Sequence, residues 1–170
     1  MTSAVPIIRQ AGEGERMWFA GGGVFTWKAT SGETGGAFLL LEDHMARGKM
    51  TPLHLHPNQD EAIYVIDGEI VAHVEGEEHR VGPGGLFYAP RGVAHAFMVT
   101  SETAHVLALM TPGTGEVFYR EAGEPADDET DASRADFARL RDVAERSESI
   151  ELLGPPPFTP TREGTVPAPS

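Results

Sequence analysis

Between residues 18 and 110 apolar and polar positions alternate in short runs, interrupted about every ten residues by turn-forming residues. Residues 24–30 and 37–42 are rich in β-branched, aromatic and aliphatic side chains, and Ser31-Gly32-Glu33-Thr34-Gly35-Gly36 divides them. Residues 61–66 and 69–74 flank Asp67-Gly68, a strong signal for a two-residue hairpin. Gly82-Pro83-Gly84-Gly85 breaks the chain before 86–89, and 95–100 and 103–110 follow, separated by Ser101 and Glu102. Many short strands with frequent turns predict an all-β sandwich or barrel.

The turns also set which side chains share a face. A two-residue loop at Asp67-Gly68 pairs Ile66 with Glu69 and Glu61 with Val74. Glu61, Ile63 and Val65 then lie beside Ile70, Ala72 and Val74, a face that is apolar except for one carboxylate. Burying that carboxylate is costly without a partner or a metal. A similar loop at Ser101-Glu102 sets His95 opposite Ala108 and lines one face with His95, Phe97, Val99, Ala104, Val106 and Ala108. The expected pocket wall is therefore Ile63, Val65, Ile70, Phe97 and Val106, with Phe87 or Tyr88 nearby. His73 and His105 fall on the opposite faces and read as non-functional. His79 and His44 lack ligand spacing, although His44, near a strand end, could border the pocket.

After Pro112 the pattern changes. Residues 115–122, with Phe118 and Tyr119, read as a short helix. A clearer helix is predicted over 133–147, where Ser133 and Asp136 resemble a capping box and Phe137, Leu140 and Ala144 recur at helical spacing. Residues 150–158 are apolar, end in prolines and read as an extended segment across the surface. The expected organisation is an N-terminal arm (1–17), a barrel (18–115), C-terminal helices and an extended segment packing on the barrel or a partner (116–158), and a loose tail (159–170). No internal repeat is visible.

Composition narrows the partners. At 170 residues and 40% hydrophobic content the chain fits one domain with one core. A net charge of −13 disfavours nucleic acid and anionic membrane surfaces. The acids between 121 and 131 read as a solvated loop. The absence of cysteine excludes disulfides, thiolate metal sites and cysteine nucleophiles. No secretory signal and no membrane-length apolar run is visible, which makes the cytoplasm the default compartment.

The sharpest chemistry lies in His54, His56, Glu61 and His95. Residues at i and i+2 on a strand share a face, so His54 and His56 can reach one ion. Glu61 returns on the next strand, and His95 arrives from elsewhere in the sheet. Three imidazoles and a carboxylate suit a divalent transition metal: Fe, Mn, Ni, Co, Cu or Zn. Such a set leaves one or two coordination positions open, the mark of a reactive site.

The two ligand segments resemble the motifs of the cupin superfamily. The first runs from Gly48 through His54, His56 and Glu61 to Gly68, and the second from Gly84 through Pro90 and Gly92 to His95. Val99 stands where the second motif usually has asparagine, and the fifteen-residue spacing between motifs is short. The resemblance covers roughly residues 20 to 115. It implies a single cupin fold, the double-stranded β-helix or jelly-roll barrel. Thr111-Pro112-Gly113, leading into an aromatic-containing helix, further resembles small bacterial cupins of the quercetin 2,3-dioxygenase type. That likeness implies metal on His54, His56, Glu61 and His95, with Glu61 also the candidate base. It implies dioxygenation of an enol, phenol or flavonol-like small molecule, with dioxygen as co-substrate, and a homodimer. Two other readings stay open. One is a non-oxidative metal-dependent enzyme, such as a polyketide cyclase, isomerase or decarboxylase; the other is a non-catalytic small-molecule binder.

Overall fold

The computed structural model describes residues 4–158. Alternation becomes burial directly: Val24–Ala29 and Thr103–Thr111 present buried and half-exposed positions in turn, as strands with one face on a core must. In chain order the strands are β1 (Arg16–Phe19), β2 (Val24–Ala29), β3 (Leu39–Ala46), β4 (Leu53–Leu55), β5 (Asp60–Asp67) and β6 (Ile70–Val74). They continue with β7 (Glu77–Val81), β8 (Leu86–Ala89), β9 (His95–Val99), β10 (Thr103–Thr111), β11 (Gly123–Pro125) and β12 (Glu151–Gly154). They form two antiparallel sheets, ordered β11-β1-β2-β3-β10-β5-β8 and β12-β4-β9-β6-β7. The fold is an all-β jelly roll whose sheets face each other without closing into a continuous hydrogen-bonded barrel. Trp27, Leu39, Ile63, Val65, Ile70 and Val106 fill the space between them.

The pairing differs from the sequence expectation at both predicted hairpins. β5 pairs with β10 and β8, while β6 pairs with β7 and β9, so the two strands around Asp67-Gly68 belong to different sheets. The same holds across Ser101-Glu102, which carries the chain from β9 in one sheet to β10 in the other. Glu61 is therefore opposite Met110 and Ala89 rather than Val74, and His95 is opposite Val74 and His54 rather than Ala108. The local signal records a turn but not which strand receives the chain. Gly68, at φ 78°, turns a corner between sheets, and Ser101 Oγ ties the two corners by accepting from Glu69 N at 2.7 Å and donating to Thr103 O at 2.6 Å. The inward parity survives because a corner preserves the inner face: Ile63, Val65, Ile70, Ala72, Phe97 and Val106 all sit in the core.

The C-terminal elements cap one end of the sandwich. A tight turn, Gly113–Gly115, leads into α1 (Glu116–Ala122). The second helix, α2, spans Phe137–Ala144 and is shorter than expected. Asp131 Oδ1 takes Ser133 N at 2.9 Å and Ser133 Oγ at 2.6 Å, so Asp136 becomes the cap and accepts from Arg139 N at 3.0 Å. Trp18, Phe118, Leu140, Val143 and Ile150 form a second apolar cluster beneath these helices. The apolar segment after α2 is a strand, since β12 pairs with β4. The expected tail, 159–170, lies outside the described residues. Near the N-terminus, Arg9 grips Glu33 with two hydrogen bonds of 2.6 and 3.1 Å. Among the described residues no helix is long and apolar enough to cross a membrane.

Candidate metal centre

β4 carries His54, whose register partner is His95 on β9, and His56 lies just past the end of β4. Glu61 is the second residue of β5, in the facing sheet. The structure brings all four together: one ligand atom of each lies within 4.8 Å of the others, and all four residues are buried. Each imidazole is oriented by a backbone carbonyl. His54 Nδ1 donates to Pro52 O, His95 Nδ1 to Val93 O and His56 Nδ1 to Ser149 O, each at 2.8 Å. Carbonyls only accept, so the hydrogen resides on Nδ1 and each Nε2 is left to face the common centre.

The donor set fits a divalent ion. Three imidazole nitrogens and one carboxylate oxygen suit the metals from manganese to zinc. His56 Nε2 is buried and has no hydrogen-bond partner. A buried orphan of that kind costs about 1–3 kcal/mol, a cost that an ion at the centre removes.

Glu61 Oε2 lies 2.8 Å from His95 Nε2 and 3.5 Å from His56 Nε2. Burial alone would raise the Glu61 carboxyl, but the hydrogen bond from His95 and the charges of His56 and His95 hold it well below the ordinary range. Burial also pulls His95 down, and the Glu61 hydrogen bond and charge outweigh it, so His95 stays raised above 6.5. His54 is pushed down to about 3, first by burial and then by the neighbouring His95 and His56 charges. A metal must therefore displace a proton held between His95 and Glu61. Its affinity should be constant at high pH and fall as pH drops through the raised His95 value, by about one decade per pH unit. Chelator-competition titrations between pH 8.5 and 5.5 measure this; a flat profile contradicts the assignment.

Two supporting residues escaped the sequence reading. Ser149 reaches His56 from 93 residues along the chain. Gln59 stands 3.1 Å from His56 Nδ1, and its Oε1 accepts from Gly115 N at 3.0 Å, linking the centre to the turn before α1. Gln59 has a legible signal, a polar residue placed between two ligands, whereas a carbonyl contact such as that of Ser149 leaves none.

His54 and Glu61 open onto a cavity of about 90 Å³ between the sheets. Ile63, Phe97 and Val106 line it, together with Phe25, Leu41 and Met110. Val65 and Ile70 are fully buried in the core and do not line it. They face inward, but they lie near the Gly68 corner, at the far end of their strands from Glu61. Phe118, Tyr119, Leu140, Ile150 and Leu152 also line it, and Asp43 and Lys49 add two charged groups to a largely apolar wall. Phe87 packs 5.7 Å from the His95 ring, whereas Tyr88 points outward. His44 does not border the cavity: it stacks on His105 at 3.9 Å on the outer face, where His105 bonds Glu42 at 2.9 Å. His73 packs edge-on to Phe158.

Residues 41–112 match the family model described as the cupin domain. Over 149 residues the chain is 24% identical to the quercetin 2,3-dioxygenase of Bacillus subtilis, covering 88% of this chain and 44% of that protein. It is 39% identical over 54 residues to an uncharacterized protein of Streptomyces coelicolor, covering 32% of this chain and 51% of the other. The chain thus spans about half the length of the curated relatives it matches. Among solved structures, KdgF from Halomonas sp. superposes with a TM-score of 0.57 at 22% identity, over 64% of this chain and 94% of that one. The polyketide cyclase RemF from Streptomyces resistomycificus gives 0.53 at 21% identity, over 63% and 79%. At these identities the structural likeness is one of fold.

Proposed function

We propose that this chain, whose residues 41–112 match the cupin domain model, is a cupin and a metal-dependent dioxygenase of a compact enol or phenol. The carrying observation is the keyed trio of imidazoles: three Nδ1–H groups spent on backbone carbonyls, three Nε2 atoms and Glu61 turned to one point. That point adjoins an apolar cavity. His54, His56, Glu61 and His95 would hold the ion. Once bound, the ion would polarise a substrate oxygen and offer dioxygen a redox partner. Glu61, kept charged by its histidine neighbours, is the base placed to take the substrate hydroxyl proton. Ile63, Phe97, Val106 and the Phe118–Tyr119 cover exclude water from the reacting oxygen.

The Bacillus subtilis relative supports the oxidative class, and the cavity narrows it. Pockets for drug-sized ligands run to about 300–1,000 Å³. A volume near 90 Å³ favours a single-ring substrate over a complete flavonol. The test is oxygen consumption by protein loaded separately with Fe, Mn, Co or Ni, offered a panel of catechols, enols and flavonols. Oxygen uptake stoichiometric with substrate loss supports the reading. Equal turnover under strict anaerobiosis overturns it in favour of a non-oxidative enzyme, for which the Glu61–His95 pair already supplies a proton-transfer couple. Ligand binding with no substrate loss identifies a carrier instead.

We also propose that the protein is a homodimer paired through the outer face of the larger sheet. Tyr64, Leu86 and Tyr88 are 45%, 61% and 52% exposed there, and Leu40, Leu107 and Leu109 continue the apolar belt across β3 and β10. β8 also ends its sheet, so one side of its backbone is free to pair. Light scattering should give twice the chain mass, and Leu86→Lys with Tyr88→Lys should halve it. A monomeric parent protein refutes the pairing.

A further inference from the structure

The cavity has a second polar end. Asp43 and Lys49 line the same space as His54 and Glu61. Asp43 follows Leu39 and Leu41 on the inward face of β3 and is the register partner of Val106 on β10. Glu61 partners Met110 on the other side of that strand, four residues further along, so the two carboxylates are offset by roughly 13 Å in the strand direction. Tyr119 lines the same cavity, and burial followed by the charges of Glu61 and Asp43 raises its hydroxyl well above its ordinary value.

Asp43 Oδ1 is buried and has no hydrogen-bond partner. An acceptor so placed is costly until a donor reaches it. The Lys49 ammonium donates to the Gly22 carbonyl and sits 5.9 Å from the centre of the Phe19 ring, which holds it at this end. Lys49 acts on Asp43 through its charge, while Asp43 Oδ1 keeps no hydrogen-bond partner. Both lie beside Gly23: a side-chain carbon there would meet Lys49 Nζ at 3.0 Å and Asp43 Oδ1 at 3.7 Å, so the two atoms are no more than about 6.7 Å apart. One small polar atom can therefore bridge an acceptor that lacks a donor and an ammonium that has hydrogens to spare.

We propose that Asp43 and Lys49 recognise a hydroxyl on the substrate, remote from its metal-binding oxygen, with Asp43 Oδ1 accepting its hydrogen and Lys49 Nζ donating to its oxygen. This deepens the enzyme reading above and rests on it. The substrate class becomes a single-ring phenol or enol with an apolar middle and a second hydroxyl at the opposite end. Burial raises the Asp43 carboxyl to about 6 against the pull of Lys49, so near neutral pH it is the acceptor this contact needs.

The experiment compares 3,4-dihydroxybenzyl alcohol with 4-ethylcatechol, which has the same shape without the remote hydroxyl. Binding to zinc-loaded, oxygen-free protein is followed by calorimetry. The alcohol should bind at least about tenfold more tightly, the effect of one charge-assisted hydrogen bond. Asp43→Leu and Lys49→Met should each abolish that preference while leaving zinc content unchanged. Equal affinity of the two catechols for the parent protein overturns the hydroxyl site and leaves the metal centre standing; this comparison needs no variant to fold. A preference that survives in both variants also overturns it. Failure to retain zinc, or to bind either catechol, overturns the metal-centre reading and this site with it.

Discussion

His54→Ala should yield a folded protein without metal. The substitution removes one of four ligands, and removing even an outer partner of a metal ligand costs about 10–100-fold in affinity. Loss of a ligand itself should exceed the upper end of that range. His54 is a clean choice because it does not bond to Glu61: its hydrogen bond is the one from Nδ1 to Pro52 O at 2.8 Å. With its own titration pushed down to about 3, it is neutral at working pH and leaves no unpaired charge behind. His105→Ala is the control, since His105 bonds Glu42 on the outer face. After dialysis against a weak chelator, the parent protein and His105→Ala should retain about one equivalent of metal by elemental analysis. His54→Ala should retain less than about a tenth, with an unchanged far-ultraviolet spectrum. Full occupancy in His54→Ala would remove the central assignment.

Gly68→Ala should be among the most damaging single-methyl additions to this fold. Gly68 sits at φ 78°, and its added carbon would lie 2.2 Å from Thr103 O and 2.8 Å from Ala104 Cα. Left-handed backbone costs an alanine about 1–2 kcal/mol. The contacts are backbone atoms that cannot rotate away, and overpacking of this kind costs about 1–3 kcal/mol more. A total of about 3 kcal/mol corresponds to a fall in Tm of roughly 6–12 °C for a chain of this size. Gly76 supplies the comparison: its φ is 89°, but nothing lies within 4 Å of an added carbon. Gly76→Ala should lower Tm by less, about 2–8 °C, from the backbone cost alone. Equal melting temperatures for the two variants would show that the corner between the sheets is not tightly packed.

That same corner explains what could be read before the coordinates. Alternation identified the inward faces, because period-two burial is a property of a strand alone. Which strand lies beside which depends on where a turn sends the chain. Asp67-Gly68 looks the same whether the next strand returns to its own sheet or crosses to the other. The candidate metal cluster is legible because three of its residues, His54, His56 and Glu61, sit in one short segment and His95 closes a second segment marked by Gly84, Pro90 and Gly92. Asp43 was missed for a local reason: the strand was expected to end at residue 42, whereas β3 runs to Ala46 and turns Asp43 inward. Lys49 extends from a turn with no periodicity to betray it. Strands β1, β4, β7, β11 and β12 are five residues or fewer, and β7 reads as a run of charge rather than alternation.

His56 owes its orientation to Ser149, a residue of the segment that leads into β12. Ion affinity and seating of that segment are consequently one equilibrium viewed from two sides. Whatever pries residues 149–154 off β4 would free the His56 ring to rotate and weaken its grip on an ion; conversely, an ion held by His56 would help to seat this segment. Ile150 and Leu152 of this segment also line the cavity, so the seating that would follow from an ion on His56 reaches the cavity wall as well.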